Sequence, residues 1–218
     1  DNKDIKTPEI ELFENFKKTL NKKWNGIECY SEMIESNYHN KFQAEWAGFY
    51  FEYKFENYLK SNPNYTKICK FIKDKKVGSI DLDIKFSKGF YGDLKTHSES
   101  SSAILGNDQK TIFAILKSDK KFWYIVLNHK TTMDSNKSYV VTKFWNKKQN
   151  KSDLLSYSSK MKNSVELSNL EILEINEYNQ NYLSEFKQGK NSDGSIRNVK
   201  IKISSKLIHN FRIYESEI

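Results

Sequence analysis

The feature that most constrains the fold is the segment 78–98, GSIDLDIKFSKGFYGDLKTHS. Apolar and polar residues alternate through its first half, which is typical of a half-buried strand. A short turn follows at 87–89, and a second strand is predicted from Phe90 to Thr96. The segment therefore predicts a β-hairpin whose first strand buries Ile80, Leu82, Ile84 and Phe86.

The opposite face of this hairpin collects charged side chains. If a three-residue turn is centred on Lys88, Asp83 lies opposite Asp93 and Asp81 lies opposite Lys95, so that all four side chains share one face. A bulge would shift this register, and a two-residue turn would place Asp81 and Asp93 on opposite faces. The predicted acidic cluster thus depends on the register of the hairpin.

A cluster of carboxylates is typical of a metal site. Neighbouring carboxylates repel one another, and hard oxygen ligands favour Mg²⁺ or Mn²⁺. A lysine beside them can hold a water molecule or stabilise the negative charge of a transition state. The alternative is a solvated strand face without a ligand.

The motif resembles that of the PD-(D/E)XK nucleases. Ile80-Asp81-Leu82, a turn, and then Gly92-Asp93-Leu94-Lys95 match the acid on one strand and the Asp-x-Lys on the next. Glu52, in a helix with the sequence GFYFE, resembles the glutamate of the family's leading helix. The resemblance covers roughly residues 44–128 and is closest to type II restriction endonucleases, although no proline precedes Asp81.

The resemblance implies an α/β fold with a mixed central β-sheet flanked by helices, as in a restriction-endonuclease-like core. We expect a single nuclease domain over residues 1–218, with a catalytic core at about 41–145. Residues 146–218 would contact DNA or support dimerisation.

The resemblance also implies the activity of a Mg²⁺-dependent, sequence-specific DNA endonuclease that leaves 5′-phosphate and 3′-hydroxyl ends. Asp81, Asp93, Lys95 and Glu52 are the expected catalytic residues, and Mn²⁺ is expected to replace Mg²⁺. Asp81, Asp93 and the Leu94 carbonyl would bind the metal, with Asp83 as an extra ligand or a supporting acid. Two alternatives stay open: a repair, resolvase or RNA-cutting nuclease of the same fold, and a non-catalytic nucleic-acid-binding module.

Double-stranded DNA is the expected partner, bound by a homodimer because duplex DNA has two-fold symmetry. The formal net charge of +8 suits a polyanion, although many lysines can also reflect an AT-rich genome. The candidate DNA contacts are His97, Ser98, Asn107, Lys110 and Arg197. Each has a plainer alternative, namely a structural hydrogen bond, a capped loop or an exposed cation.

Other classes are disfavoured by what the sequence lacks. No glycine-rich phosphate-binding motif is present, and two isolated cysteines do not make a zinc site. Cys29 and Cys69 are expected to be free, buried thiols in the reducing cytoplasm. No apolar run reaches transmembrane length, and no membrane partner is expected.

Periodicity elsewhere predicts the remaining elements. We expect helices at 8–24, at 41–60, in the later part of 103–118 and at 175–188; strands at 122–127, 138–144 and 199–203; and a lysine-rich surface loop at 146–164.

Overall fold

The protein is described here from a computed structural model, and the described residues are 6–72, 82–151 and 160–218. They form two β-sheets with helices packed on both faces of the larger one. The helices are α1 (Pro8–Lys17), α2 (Gly26–Glu35), α3 (Trp46–Ser61), α4 (Gln109–Asp119) and α5 (Val140–Lys148). The strands are β1 (Lys23–Asn25), β2 (Cys69–Phe71), β3 (Ile84–Phe86), β4 (Tyr91–Ser98), β5 (Ala103–Asp108), β6 (Lys121–Met133), β7 (Lys162–Asn176), β8 (Ser184–Phe186), β9 (Lys200–Ser204) and β10 (Arg212–Glu217).

The larger sheet has the order β1-β7-β6-β4-β3-β2, and β10 pairs with the same edge of β7 as β1. Strands β4 and β6 run parallel, whereas the other pairs in this sheet are antiparallel. The predicted α/β class with a mixed central sheet flanked by helices is therefore confirmed. The smaller sheet is antiparallel, with the order β5-β9-β8.

Each face of the larger sheet has its own apolar core. The first face packs against α1, α2 and α3, and it includes Ile84, Leu94 and Trp123. The second face packs against α4 and the smaller sheet, and it includes Tyr124 and Val126. Because side chains alternate along a strand, Asp93 and Lys95 share the second face with their β6 partners Tyr124 and Val126.

The predicted hairpin register is confirmed where it is described. Ile84 pairs with Gly92 and Lys85 pairs with Tyr91, as a three-residue turn requires. Asp81 lies outside the described residues, so its position opposite Lys95 stays a prediction. Leu82 packs in the second core although Ile84 packs in the first, so the side-chain alternation of β3 does not extend back along the chain to residue 82.

Two predicted elements, at 8–24 and at 138–144, differ from those in the structure. The helix predicted at 8–24 begins at Pro8, after the Thr7 cap, but ends at Lys17 because the chain then joins the sheet as β1. The strand predicted at 138–144 is wrong, since α5 begins at Val140. The buried carboxylate of Asp134 accepts the backbone N–H groups of Val141 and Thr142 at 3.0 and 2.8 Å, and this cap outweighs local β propensity.

The helix predicted at 175–188 is also wrong. Strand β7 continues to Asn176, and a short 3₁₀ turn at Gln180–Tyr182 leads into β8. Asn176 and Asn179 accept backbone N–H groups from each other through their side chains, which favours a turn over a helix. The predicted loop at 146–164 is shortened at both ends by α5 and β7, and residues 152–159 lie outside the described residues.

Several other expectations hold. Helix α3 occupies most of 41–60, α4 occupies the later part of 103–118, β6 includes the strand predicted at 122–127, and β9 begins one residue after the predicted start, at Lys200. Cys29 and Cys69 are free and buried. Across the described ranges, no helix is both long and apolar enough to cross a membrane.

Candidate functional site

Asp93 and Lys95 lie two residues apart on β4 and form an ion pair. The Lys95 Nζ atom is 2.7 Å from Asp93 Oδ2, in a site where the carboxylate is almost fully buried. Burial alone would lower the pKa of Lys95, but the charge and hydrogen bond of Asp93, together with the charges of Tyr124 and Asp83, outweigh burial and raise the pKa above its ordinary value. The pair therefore presents one buried anion and one partly exposed cation on the second face of the sheet.

Asp83 lies where the β3–β4 ladder ends. Its Oδ2 atom accepts the backbone N–H of Leu94 at 2.8 Å, in the place where a strand carbonyl would otherwise pair. In an extended strand the N–H and C=O of one residue point to the same side, so the Leu94 carbonyl faces the same edge as Asp83. The charge of Asp83 also contributes to the raised pKa of Lys95. Asp83 and the Leu94 carbonyl therefore share one edge of β4 at the end of β3, and Asp93 is the preceding residue of β4.

Glu52 approaches from the other side of the sheet. It is buried on α3, whose Gly48 lies closest to Thr96 on the first face of β4. Burial raises the pKa of Tyr38, and the charges of Glu52 and Asp83 raise it further. Glu52 and Asp83 thus share the neighbourhood of Tyr38, whereas Asp93 and Lys95 point to the opposite face of β4.

Tyr124 connects Lys95 to the smaller sheet. The Lys95 Nζ atom lies 5.7 Å from the centre of the Tyr124 ring, and burial raises the pKa of this tyrosine. Its hydroxyl donates to Asn107 Oδ1 at 2.7 Å and accepts the Asn107 N–H at 2.9 Å. A Cβ on Gly106 would lie 2.5 Å from the same hydroxyl, so the close approach of β5 requires glycine there. Asn107 is placed beside the site through Tyr124.

His97 begins a polar network that crosses the second face. Its Nδ1 atom lies 2.9 Å from Asn128 Oδ1, and Asn128 donates to Glu171 Oε1 at 2.8 Å. Glu171 is buried and is paired with Arg212 at 2.8 Å. These hydrogen bonds support a structural role for His97, which was the alternative to a DNA contact.

Ser98 has a separate set of partners. Its hydroxyl lies 2.9 Å from that of Ser100 and accepts from Thr131 at 3.1 Å. Thr131 also contacts Nδ1 of His129, which is fully buried. Burial, together with the nearby charges of Lys162 and His97, lowers the pKa of His129 to about 4.

Lys110 and Arg197 line one cleft. Its walls are residues 108–111, at the start of α4, and residues 196–199, before β9, and its volume is about 430 Å³. The Nε atom of Arg197 donates to Asn191 Oδ1 at 3.0 Å, which fixes the direction of the guanidinium. The structure thus brings together two of the predicted DNA contacts that are 87 positions apart in the sequence.

Within residues 6–72, 82–151 and 160–218, no group of three or more His, Cys, Asp or Glu side chains is arranged to hold a metal ion. Of the predicted metal ligands, Asp83, Asp93 and Leu94 lie where the β3–β4 ladder ends, and Asp81 is outside those ranges. Asp93 is at present paired with Lys95. The described donor set is therefore two carboxylates and one carbonyl.

Tyr124, Asn128 and Glu171 belong to the site and were not predicted from the sequence. Each faces Asp93, Lys95 or His97 only through the register of β4, β6 and β7, which joins distant segments. The polar Asn128 and Asn169 at the end of an apolar run were the available signal, because buried amides require partners.

The sequence matched no protein-family model, and the searches of curated proteins and of solved structures also found no match.

Proposed function

We propose that the protein is a metal-dependent DNA endonuclease whose centre is formed by Asp81, Asp93 and Lys95, with Asp83 as an extra ligand or a supporting acid. The observation that carries the proposal is the ion pair of Asp93 with Lys95 on β4, next to the Asp83 carboxylate that accepts the Leu94 N–H where the β3–β4 ladder ends. The order of elements also agrees with the resemblance: a helix with Glu52, a strand pair with the acids and Lys95, a helix, and an apolar strand parallel to β4.

The donor set suits Mg²⁺ or Mn²⁺. Both ions prefer oxygen ligands, and Mg²⁺ usually keeps several waters beside one or two carboxylates. Asp81, Asp93 and the Leu94 carbonyl would hold the ion, with Asp83 as an extra ligand or a supporting acid. When bound, the ion supplies a Lewis acid and a more acidic water.

Lys95 is the cation of the proposed centre. Its side chain is 26% exposed, so the ammonium can reach a bound phosphate while it keeps contact with Asp93. An ammonium in this position donates hydrogen bonds to the attacking water or to a phosphoryl oxygen and stabilises added negative charge. Glu52 supports the centre from the α3 side, through the region that it shares with Asp83.

The proposed substrate is duplex DNA cut at specific sequences to leave 5′-phosphate and 3′-hydroxyl ends. Asn107 is hydrogen-bonded to Tyr124 beside Lys95, and Lys110 and Arg197 line the cleft at the start of α4, where they would contact the DNA. His97 and Ser98 extend the same strand beyond Lys95 and would contact the adjacent backbone. A homodimer would cut both strands, since its two-fold axis would match that of the duplex.

The test is digestion of supercoiled plasmid by the purified chain. We expect cleavage with Mg²⁺ or Mn²⁺, none with chelator, and binding without cleavage in Ca²⁺, which has looser coordination. Full activity in chelator would contradict the proposal. Discrete bands indicate sequence-specific cutting, whereas a smear or preferential RNA cleavage supports the repair, resolvase or RNA-cutting alternative.

Binding without cleavage under every metal condition would support the non-catalytic module. Sedimentation with and without duplex DNA tests the homodimer. End labelling of the products tests which end carries the phosphate.

A further inference from the structure

A two-stranded ribbon extends from the smaller sheet beyond its last regular pair. Strands β8 and β9 pair up to Phe186 and Lys200, and Lys190 then pairs with Ile196. This is the register that the strands would reach if both continued without an insertion. The side-chain amide of Gln188 donates to the carbonyl of Asn198 at 3.0 Å, midway between those pairs. Residues 187–199, named here the basic arm, are therefore a continuation of the β8–β9 hairpin.

The tip of the basic arm is held by its own hydrogen bonds. The Asn191 N–H donates to the Ser195 carbonyl at 2.8 Å, and Gly194 supplies a positive φ of 85°. Asp193 accepts the backbone N–H of Ser195 at 2.9 Å and its hydroxyl at 2.6 Å. The tip is thus ordered in the absence of a hydrophobic core.

The surface of the arm is basic and exposed. The arm has three cationic side chains, those of Lys187, Lys190 and Arg197. Its one acidic side chain, Asp193, is hydrogen-bonded within the tip. Ile196 is 81% exposed, a position in which a large apolar side chain gains nothing from the folded chain. Side-chain alternation places Arg197 on the same face as the buried Ile201 and Ile203, and hence on the side of α4 and Lys110.

We propose that the basic arm enters the major groove of duplex DNA and reads its sequence for the nuclease centre. The role in cleavage rests on the proposed function, whereas the binding of duplex DNA by the arm is separately testable. The major groove admits a two-stranded β-ribbon, and the four residues on each side of the tip span roughly 13 Å. The lysines suit phosphates, and Arg197 suits the acceptor edge of guanine.

The first experiment measures binding of a fluorescent duplex of mixed sequence in chelator at several salt concentrations. The test variant carries Lys187→Ala, Lys190→Ala and Arg197→Ala. Its control carries Lys18→Ala, Lys22→Ala and Lys23→Ala, which remove the same charge from exposed positions near β1. If all three arm residues contact phosphates, the salt dependence should fall by about 2 to 3 in slope and the affinity at least about tenfold, with no such change in the control.

The second experiment compares plasmid digests by the wild type and Arg197→Lys. Lysine keeps the charge and loses the two-pronged contact to guanine, so overall binding should persist while the pattern of bands relaxes. Far-UV circular dichroism and melting temperatures should stay unchanged, because the arm residues are not packed in either core.

The outcomes separate the two proposals. A wild-type protein that binds duplex DNA through the arm but never cleaves it would support the arm proposal and contradict the nuclease proposal. Cleavage with the same bands and the same salt slope in the arm variant would preserve the nuclease and overturn the arm. Absence of duplex binding by the wild type at low salt would also overturn the arm.

Discussion

The strand pair β3–β4 and the basic arm differ in what stabilises them. Behind the strand pair, Phe86 stacks on Phe90 with ring centres 4.4 Å apart and packs its edge on Trp123 at 5.1 Å. The arm has turn hydrogen bonds and exposed side chains instead. Catalysis needs fixed geometry, which close packing provides, whereas a recognition element that is independent of the core can vary without loss of the fold.

The largest expected difference between these regions is in stability. Phe86→Ala should lower the free energy of unfolding by about 3–5 kcal/mol, since it leaves a cavity among closely packed rings. Ile196→Ala should change it by less than about 0.5 kcal/mol. Urea denaturation of both variants measures this directly. Similar losses would show that the arm is part of the core.

The second prediction concerns the pH dependence of stability, which we expect to depend on a buried histidine and not on an exposed one. The pKa of His129 is about 4 in the folded protein, below the ordinary 6.5 of the unfolded chain. The unfolded chain therefore binds the proton first, so the contribution of His129 is complete above pH 6.5 and is lost as the pH falls towards 4. The loss approaches about 3 kcal/mol.

Urea midpoints between pH 7 and pH 4 test this effect. His129→Gln should flatten the curve, whereas substitution of the exposed His209 by Gln should leave it as in the wild type. Parallel curves for wild type and His129→Gln would contradict a neutral, buried imidazole.

The third difference concerns two glycines. A methyl group on Gly106 would lie 2.5 Å from both Ile201 and the Tyr124 hydroxyl, so Gly106→Ala should cost about 1–3 kcal/mol. Gly189, in the arm, has no described atom within 4 Å of its ideal Cβ, and Gly189→Ala should be almost neutral. Thermal melting distinguishes them. Equal melting temperatures would mean that β5 does not depend on close approach to Tyr124.

The last comparison separates the two candidate aspartates. Asp83→Asn keeps an oxygen acceptor for the Leu94 N–H, so the fold should persist while single-turnover cleavage falls about 10–100-fold. We still expect Asp81→Asn to remove almost all cleavage, as the loss of a direct ligand would. The reverse order would assign the direct ligand to Asp83, and equal, complete losses would indicate that all the carboxylates share the metal.

The sequence was most informative where one local pattern determined geometry. Alternation and a three-residue turn were sufficient for the register of the β3–β4 hairpin, and a broad apolar stripe was sufficient for α3. These features depend on neighbours in the chain. Leu82 departs from the alternation because it packs against residues of the second core, which are distant in the sequence.

Other features could not be predicted because distant residues decide them. Val140 and Val141 favour a strand locally, but the buried Asp134 caps a helix there. Tyr124 is indistinguishable from its apolar neighbours until the parallel register places it beside Asp93. The cleft between Lys110 and Arg197 likewise exists only after β9 pairs with β5.

The most direct test of the central claim is single-turnover cleavage by Lys95→Ala at saturating Mg²⁺. Lys18→Ala serves as the matched control, and Lys95→Arg provides a second variant that keeps the charge beside the buried Asp93. We predict that Lys95→Ala loses at least about 100-fold in rate while it still melts cooperatively and binds duplex DNA. A folded, DNA-binding Lys95→Ala protein that cleaves at the wild-type rate would contradict the account.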